Sequence, residues 1–388
     1  MLEQEIIDRY KDLFNNKPEI IVKAPGRVNL IGEHTDYNGG YVLPIAIDKY
    51  ITIAACRRND CEVDIHSINF NDDCSANFEN GLKPNAHKPW ANYFLGVVSQ
   101  LLKRGYSIKG VDAAIYGDIP LGAGLSSSAA YEVAAAYMFQ KLFDIEISGE
   151  ELAEICQHAE HEFVGSQCGI MDQFISRFGK KDHALLIDCL SLKYHLIPFI
   201  LKDYSLVVVN SNVKHNLAQS EYNTRREECG EAIRFLRNAM KRDIVNLREC
   251  SIDDYENHKD DLPFKLRKRA YHVITENQRV LDAVSALKEN DLEKFGQLMY
   301  ESHNSLRDNY EVSCKEIDTL VELARECEGV IGSRITGGGF GGCTVSIVSE
   351  KKLDLFTNHV KTAYKVKTDM NADIFIFKAE DGVSAELY

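Results

Sequence analysis

Apolar residues along the chain fall into short runs whose spacing alternates between that of strands and that of helices. Before residue 200, strand-like apolar runs occur at residues 20–23, 41–56, 62–65, 111–116 and 184–188. Helical spacing of the apolar positions predicts helices at residues 2–14, 90–102, 127–142 and 149–163. Strands and helices in this mixed order are typical of an α+β fold.

A second block begins with an apolar strand at residues 204–210 and continues into a long charged helix at residues 217–240. Further helical segments follow up to Cys327. Alternation then returns, with strands predicted at 329–335, 343–348 and 374–377 and a helix at 353–364. The change near residue 200 predicts two lobes, residues 1–200 and residues 201–388.

The composition disfavours several classes of partner. The 388 residues include 45 basic and 59 acidic ones, and the formal charge of -14 argues against nucleic acid or an anionic membrane. The basic run at residues 265–269 follows Asp260 and Asp261, so we interpret it as a solvated helix face. No apolar run has membrane-spanning length, the N-terminus lacks a signal-peptide pattern, and eleven cysteines occur without a CxxC pair. We therefore expect a cytoplasmic protein with reduced thiols.

The polar segment, residues 26–40, concentrates hydrogen-bonding side chains between two apolar runs. It contains Arg27, Glu33, His34 and Asp36. A solvated loop does not need such a set, whereas a sugar would engage several donors and acceptors of this kind at once. Glycines in the segment allow tight turns or a close approach to a ligand.

A glycine–serine loop, residues 120–130, lies between a predicted strand and a predicted helix. Free N–H groups and the positive dipole end at a helix start bind anions, and glycines let the backbone wrap around a phosphate. The loop lacks the lysine of a Walker A motif, and Ser127 stands where a dinucleotide fingerprint has its third glycine. A turn with a serine N-cap is the alternative. The candidate phosphate contacts are Gly122, Ala123, Gly124, Leu125, Ser126, Ser127 and Ser128.

Two carboxylates outside these segments are candidates for chemistry. Asp172 lies among apolar neighbours, where burial would make it a better general base, although a helix N-cap is the alternative. Glu160 lies between His158 and His161. This spacing offers too few ligands for zinc, whereas one carboxylate can share Mg²⁺ with phosphate oxygens.

The third glycine segment, residues 332–343, holds six glycines in twelve positions. Apolar runs flank it on both sides, so we predict a packed loop that approaches backbone or ligand closely rather than a flexible linker.

The three segments, in this order and spacing, resemble the motifs of the GHMP kinase superfamily. GRVNLIGEHTDYNGGYVLP resembles the galactokinase signature, PLGAGLSSSAA the phosphate-binding motif and GSRITGGGFGGC the third motif. The similarity continues through KPWANYFLGV, HAEHEF, CGIMDQF, SNVKHNLAQSEYNTRR and the C-terminal strands, and so covers essentially the whole chain.

This resemblance implies a two-lobed α+β fold with an active site in the cleft between the lobes. The first lobe would be ribosomal-protein-S5-like, and the second ferredoxin-like with added helices. The implied activity is ATP-dependent phosphorylation of α-D-galactose at O1, with D-galactose and MgATP as partners. We expect neither a nucleic-acid nor a membrane partner, and a monomer or weak homo-oligomer.

The resemblance also implies roles for single residues. Asp172 would be the catalytic carboxylate beside the anomeric hydroxyl, and Arg27 would stabilise it and the attacking oxygen. Ser128 and Glu160 match the Mg²⁺ ligands. Trp90 matches a residue near the adenine, although a purely structural role fits it equally well. The residues that match sugar contacts are Glu33, His34, Asp36, Gly169 and Tyr222.

Three alternatives differ from this interpretation. A kinase of the same lineage could act on N-acetylgalactosamine or arabinose. A sugar- and ATP-binding transcriptional sensor is disfavoured because the Ser126–Ala130 stretch, Arg27 and Asp172 are all present. Mevalonate- and homoserine-type kinases are disfavoured because the Glu-His-Thr-Asp sequence suits a polyhydroxylated substrate.

Overall fold

The protein is described by a computed structural model that covers residues 3–120, 122–213 and 218–388. Leu2, Leu121 and residues 214–217, which belong to segments discussed above, lie outside the described residues. The described helices are α1 (Glu3–Phe14), α2 (Asn92–Lys103), α3 (Ser127–Leu142), α4 (Gly149–Ala159), α5 (Met171–Phe178), α6 (Ala218–Met240), α7 (Ile252–His258), α8 (Phe264–Lys288), α9 (Leu292–Ser305), α10 (Lys315–Glu326) and α11 (Leu353–Thr368).

The strands form three sheets. The described strands are β1 (Ile20–Asn29), β2 (Tyr41–Val42), β3 (Pro44–Arg57), β4 (Glu62–Ser67), β5 (Asp72–Asn77), β6 (Val111–Gly117), β7 (His183–Asp188), β8 (Lys193–Pro198), β9 (Tyr204–Asn210), β10 (Val330–Thr336), β11 (Cys343–Ser349), β12 (Asp373–Phe377) and β13 (Ser384–Leu387). The six-stranded sheet has the order β13-β1-β3-β6-β4-β5, the four-stranded sheet β10-β11-β9-β12 and the three-stranded sheet β2-β7-β8. Strand β13 is antiparallel to β1, so the end of the chain completes the first sheet.

Helix α3 occupies the centre of the first lobe. It packs on β1 and β3 and is covered by α2, α4 and α5. The helix is buried on almost every side. Many of its buried residues are alanines, whose small side chains let the helix approach the sheet closely. Its first turn therefore lies at a fixed position, directly after the glycine–serine loop.

One hydrophobic core runs through both halves of the chain. Val28 and Val133 share it with Val208, Val280 and Val345. A second core lies among the helices and the four-stranded sheet of the later residues. The third glycine segment includes the end of β10 and the connection to β11, and the polar segment begins within β1. Hydrogen bonds from Thr336 and Gly337 to Glu33 join the two segments.

The α+β prediction is confirmed, and several helices and strands have the expected bounds. The helix at residues 127–142 and the strand at residues 204–210 match α3 and β9. The helix expected at residues 149–163 changes character: α4 ends at Ala159, a π-helical turn follows at Glu160–Val164, and Gly165 at φ +89 ends it. No described helix is long and apolar enough to cross a bilayer.

The interpretation of residues 265–269 as a solvated face is wrong for Arg269, which is fully buried. Its Nε donates to Glu228 Oε2 at 2.6 Å and its Nη2 to Glu311 Oε2 at 2.8 Å. A buried guanidinium is tolerated because carboxylates from α6 and from the segment before α10 neutralise it. The basic run is therefore partly an internal ion-pair cluster.

Candidate active site

A cavity of about 430 Å³ lies where the polar segment, the start of α5 and the third glycine segment meet. It is lined by Arg27, Glu33, His34, Asp36, Tyr93, Glu160, Val164, Ser166, Cys168, Gly169, Met171, Asp172, Tyr222, Gly337, Gly338 and Gly339. The sequence-predicted sugar contacts and both predicted catalytic residues are thus brought to one cavity.

Arg27 and Asp172 form a two-pronged ion pair on the cavity wall. Arg27 Nε donates to Asp172 Oδ1 at 2.7 Å, and Nη2 donates to Oδ2 at 2.8 Å. Such paired contacts fix the plane of a carboxylate as well as its charge. The guanidinium is buried, whereas 23% of the Asp172 side chain is exposed, so the carboxylate reaches the cavity.

The glycine–serine loop is attached to β1 beside this pair. Arg27 Nη1 donates to the Gly124 carbonyl at 2.7 Å, and the Arg27 amide donates to the Leu125 carbonyl at 3.1 Å. A Cβ on Gly26 would come within 2.7 Å of that Leu125 oxygen. Glycine at position 26 therefore permits the backbone contact that joins the polar segment to the loop.

The start of α3 has no side-chain cap. Ser126 adopts the left-handed conformation at φ +59, and its hydroxyl donates to Asp172 Oδ2 rather than to the first turn of the helix. Gly122 and Gly124, at φ +73 and +68, have open space where a side chain would be. The first-turn N–H groups and the positive end of the helix dipole therefore remain available to an anion.

A smaller cavity of about 170 Å³ borders the same helix start. It is mostly apolar and is lined by Ile51, Ser67, Asn69, Phe70, Trp90, Tyr93, Ile115, Gly117, Ile119, Ser127, Ser128 and Tyr131. Trp90 forms one wall, and its indole nitrogen donates to Asp72 Oδ2 at 2.9 Å. This places Trp90 beside two of the predicted loop serines, but whether it contacts adenine stays a prediction.

Asp36 lies against the backbone of Gly169. A Cβ on Gly169 would approach Asp36 Oδ2 to 1.8 Å, so only glycine fits there without movement. Burial and the nearby Asp172 carboxylate raise the pKa of Asp36 to about 6. The Asp36 carboxylate is therefore ionised above about pH 6 and gains a proton as the pH falls below that value.

His34 is held by an aromatic cluster at the base of the cavity. Its Nδ1 lies 2.8 Å from the Tyr37 hydroxyl, which in turn lies 2.8 Å from the Tyr310 hydroxyl. The His34 and Tyr222 rings have their centroids 5.5 Å apart. Burial lowers the pKa of His34 to about 3, so the imidazole is neutral and presents one donor and one acceptor.

Glu33 differs from the other predicted sugar contacts because its carboxylate already has four protein partners. Oε1 accepts from the Thr336 hydroxyl at 3.2 Å and from the Gly337 amide at 3.0 Å. Oε2 accepts from Asn29 Nδ2 at 2.9 Å and forms an ion pair with Arg334. These contacts use about four lone-pair positions, so Glu33 ties the polar segment to the third glycine segment.

Glu160 lies in a buried acidic cluster next to Ser128. Gln173 Nε2 bridges it to Glu132, with distances of 3.0 and 3.1 Å to the two carboxylates. Burial and the charge of Asp172 raise the pKa of Glu160 to about 7, although hydrogen bonds from the Cys168 thiol and from Gln173 oppose this shift. One Glu132 oxygen, Oε1, is buried without a hydrogen-bond partner. A cation fits this environment, because it would compensate closely placed carboxylates.

The histidines that flank Glu160 have other partners. His161 Nε2 lies 2.7 Å from the Cys168 carbonyl oxygen, and His158 Nδ1 lies 3.2 Å from Arg104. Among the described residues, no group of three or more His, Cys, Asp and Glu side chains is placed to hold a metal. A Mg²⁺ ion at this position would therefore take most of its ligands from phosphate oxygens and water.

Several residues of the two cavities carried no sequence-based assignment. Tyr93 lines both cavities, and Tyr131 lines the smaller one. Tyr93 follows Trp90 by three residues, a spacing that places two side chains on one face of a helix and could have indicated it. Arg334 and Thr336 precede the glycines of the third segment, but no local pattern predicts that they reach Glu33 across some 300 residues.

Family models match three parts of the chain. A model described as the galactokinase galactose-binding signature matches residues 8–57. The N-terminal domain model of GHMP kinases matches residues 92–180, and the C-terminal model matches residues 283–366.

Curated relatives and solved structures agree with these models. The chain is 46% identical to a galactokinase of Roseiflexus sp. (strain RS-1) over 98% of this chain and 96% of the relative. It is 45% identical to a galactokinase of Clostridium acetobutylicum, with 97% of each chain covered. The crystal structure of Lactococcus lactis galactokinase complexed with galactose matches with a TM-score of 0.94, 36% identity and coverage of 98% and 99%. A mevalonate kinase with 20% identity and a TM-score of 0.64 shares the fold. The chain therefore belongs to the galactokinase family of the GHMP kinases.

Proposed function

We propose that this protein transfers the γ-phosphoryl group of ATP to O1 of α-D-galactose, giving α-D-galactose 1-phosphate and ADP. The observation that carries the proposal is the Arg27–Asp172 ion pair, which borders a cavity lined by hydrogen-bonding groups and lies beside the uncapped start of α3. The sugar hydroxyl that receives the phosphoryl group and the anionic phosphoryl donor can thus meet beside the Asp172 carboxylate.

Asp172 acts on the attacking hydroxyl in this proposal. Arg27 occupies one position on each of its oxygens, and Ser126 occupies another on Oδ2. A carboxylate offers about four lone-pair positions, which leaves one on Oδ1 for the sugar O1–H. Asp172 orients that hydroxyl in line with the γ-phosphorus and accepts its proton as the bond to phosphorus forms. Arg27 holds the carboxylate in place and balances its charge.

The phosphate chain lies along the glycine–serine loop in this proposal. Backbone N–H groups at the start of α3 bind phosphate oxygens, and Ser127 and Ser128 border the adjoining space. Ser128 and Glu160 would hold Mg²⁺, which neutralises phosphate charge and favours departure of ADP. Gln173 Nε2 and the Cys168 thiol donate to Glu160 Oε2 at 3.0 and 3.4 Å and hold the carboxylate in place.

The remaining groups divide between the two substrates. The smaller cavity, with Trp90 and Tyr93, accepts the adenine, since an apolar slot next to a phosphate site suits a flat base. Asp36, His34 and Tyr222 face the larger cavity and bind sugar hydroxyls, and Gly169 contributes backbone polar groups. Buried acceptors and donors left unpaired by a wrong epimer give a site of this kind strong discrimination.

A coupled ADP-release assay tests the proposal. Galactose, its 4-epimer glucose, N-acetylgalactosamine and arabinose are compared at equal concentrations with saturating MgATP. We expect galactose to give the highest kcat/KM by at least about tenfold. A preference for N-acetylgalactosamine or arabinose would reassign the substrate, and galactose binding without ADP release from any sugar would favour a sensor.

A further inference from the structure

The backbone of the polar segment is held from behind by side chains of helix α8. Glu276 Oε1 accepts a hydrogen bond from the Gly32 amide at 3.0 Å. Asn277 Oδ1 accepts one from the Tyr41 amide at 2.8 Å. Both α8 side chains are buried, so these contacts do not compete with bulk water. The helix thereby fixes two distant points of the segment that carries the proposed sugar contacts.

A third contact lies between these two points. His272 Nε2 is 3.1 Å from the Glu33 carbonyl oxygen, and Nδ1 is 2.9 Å from the Ser305 hydroxyl. A carbonyl oxygen can only accept, so Nε2 carries the hydrogen and Nδ1 accepts from Ser305. Burial lowers the pKa of His272 to about 4, which keeps the imidazole neutral and this tautomer in place.

Glu276 is the charged member of the set. Arg279 Nε donates to its Oε2 at 2.7 Å, and the Ser302 hydroxyl donates to its Oε1. Burial acts to raise the pKa of Glu276, but Arg279 and neighbouring positive groups outweigh it and lower the pKa to about 2. An ionised acceptor forms a stronger hydrogen bond with the Gly32 amide than a neutral acceptor does.

The polar segment lies on α8 with almost no space between them. Gly32 has φ +100, and a Cβ there would approach the Tyr41 carbonyl oxygen to 2.7 Å and Val280 Cγ2 to 2.9 Å. A Cβ on Gly40 would come within 2.4 Å of Asn277 Oδ1. The segment therefore cannot shift towards α8, and the hydrogen bonds to α8 prevent it from moving away.

We propose that Glu276 is a positioning residue for sugar binding, which acts through the Gly32 amide on the adjoining sugar-contacting side chains. Gly32 directly precedes Glu33, whose carbonyl His272 contacts, and lies two residues before His34, which lines the larger cavity. A loss of the Glu276 contact releases the peptide that sets their direction. This inference rests on the proposed function, because it presumes that the larger cavity binds the sugar.

The test replaces the charged acceptor while keeping its shape. In Glu276→Gln, the Gly32 amide has only a neutral partner, and Arg279 loses its counterion. We expect the KM for galactose to rise about tenfold, whereas the KM for ATP stays within about twofold of the wild-type value. Initial-rate kinetics with each substrate varied in turn give both values, and the galactose-induced shift in Tm gives binding without turnover.

Glu228→Gln is the matched control. Glu228 is a buried carboxylate on α6 that accepts from Arg269 Nε of α8 at 2.6 Å, and it does not line the larger cavity. This variant loses a buried ion pair with α8, the helix that also carries Glu276. Its Tm should therefore fall, but its KM for galactose should stay within about twofold of the wild-type value.

Two results would overturn the positioning role. One is an equal rise in both KM values for Glu276→Gln, and the other is a galactose KM no higher than that of Glu228→Gln. If Glu276→Gln does not fold, Glu276→Asp tests the same role, because it keeps the charge but shortens the side chain and so weakens the contact with the Gly32 amide. It should raise the galactose KM selectively by about threefold, and an unchanged ratio of the two KM values would refute the proposal. A wild type that releases no ADP with galactose would instead refute the proposed function.

Discussion

At the scale of single residues, the Asp172 carboxylate offers the most direct test of the chemistry. In Asp172→Asn, the side chain keeps its shape but cannot accept a proton, and Arg27 loses its ionic partner. We expect kcat to fall on the order of 10²- to 10⁴-fold. Galactose should still raise the Tm of this variant, because the other cavity-lining groups are intact.

The control for this change is Asp112→Asn, since Asp112 pairs with Arg58 at 2.6 Å and lines neither cavity. Turnover of this variant should match that of the wild type in the same coupled assay. Near-normal turnover by Asp172→Asn would remove that residue from the proposed role.

Asp36 predicts a pH dependence of sugar binding. Its pKa is raised to about 6, so the carboxylate gains a proton as the pH falls through that value and loses acceptor capacity. Glu160, with a pKa of about 7, gives MgATP binding its own acidic limb, so the rates are compared at saturating MgATP. Under that condition the kcat/KM for galactose should decline below about pH 6. Rate measurements across this range on the wild type and Asp36→Asn check it: the variant should be less active, and its profile should lack the Asp36 limb. The same acidic limb in the variant would contradict the assignment.

The sequence located the proposed catalytic residues better than the residues that support them. Arg27 and Asp172 were predicted as a pair, and the structure brings them to 2.7 Å. Glu33 was predicted only as a sugar contact, yet its carboxylate is fully engaged by protein donors that include Thr336. Such partners come from elements that are remote in sequence, and their meeting depends on how the sheets and helices pack. No local pattern contains that information.

At the scale of elements, the position of Ser128 in the first turn of α3 leads to a prediction about the Mg²⁺ requirement. Ser128 lies in this turn, near Glu160. In Ser128→Ala, the Mg²⁺ concentration that gives half-maximal activity should rise about tenfold, because one proposed ligand is lost. A Mg²⁺ titration at fixed ATP measures the change.

A serine at another helix start provides the comparison. Ser148 caps α4, where its hydroxyl accepts from the Glu151 amide at 3.1 Å. Its replacement by alanine should lower stability by about 1 kcal/mol without altering the Mg²⁺ titration. Identical titrations for both variants would count against metal ligation by Ser128.

Helices and strands with a clear pattern of apolar residues were predictable from the sequence. Those that form mainly through contacts with other elements were not. Helix α3 was found with the correct bounds because its alanine-rich run begins after clear loop residues. The π-helical turn at Glu160–Val164 was missed, since its sequence continues the helical spacing of α4. Strands β5, β8 and β13 were missed because they have many exposed positions and little apolar signal. These strands form through pairing with partners rather than through their own burial.

At the scale of the whole molecule, we predict that loss of strand β13 lowers stability without changing activity. Its residues pair with β1 from Ile20↔Leu387 to Lys23↔Ser384, and the Tyr388 hydroxyl donates to Glu3 at 2.7 Å. Removal of residues 384–388 should cost about 2 kcal/mol, which for a chain of 388 residues corresponds to a Tm about 2.5 °C lower. None of these residues lines the larger cavity, so the galactose KM should stay within about twofold.

Thermal unfolding and initial rates measure both quantities, and Tyr388→Phe separates the hydroxyl contact from the strand. That substitution should lower the Tm by no more than about 1 °C. A truncated protein with unchanged Tm, or with a strongly raised galactose KM, would contradict the expected separation. The division at residue 200 also stays a prediction at this scale, since β13 belongs to the sheet of the first residues.

The position of β13 also has a consequence for the order in which the protein is made. Strand β1 is synthesised about 360 residues before its outer partner, so that edge has no strand partner until residues 384–387 have been made. Contacts between such distant segments form slowly, and an open strand edge is a template for pairing with other chains. During synthesis, the sheet that contains β1 therefore carries a site of self-association that β13 closes, and chaperones would be needed most in that interval.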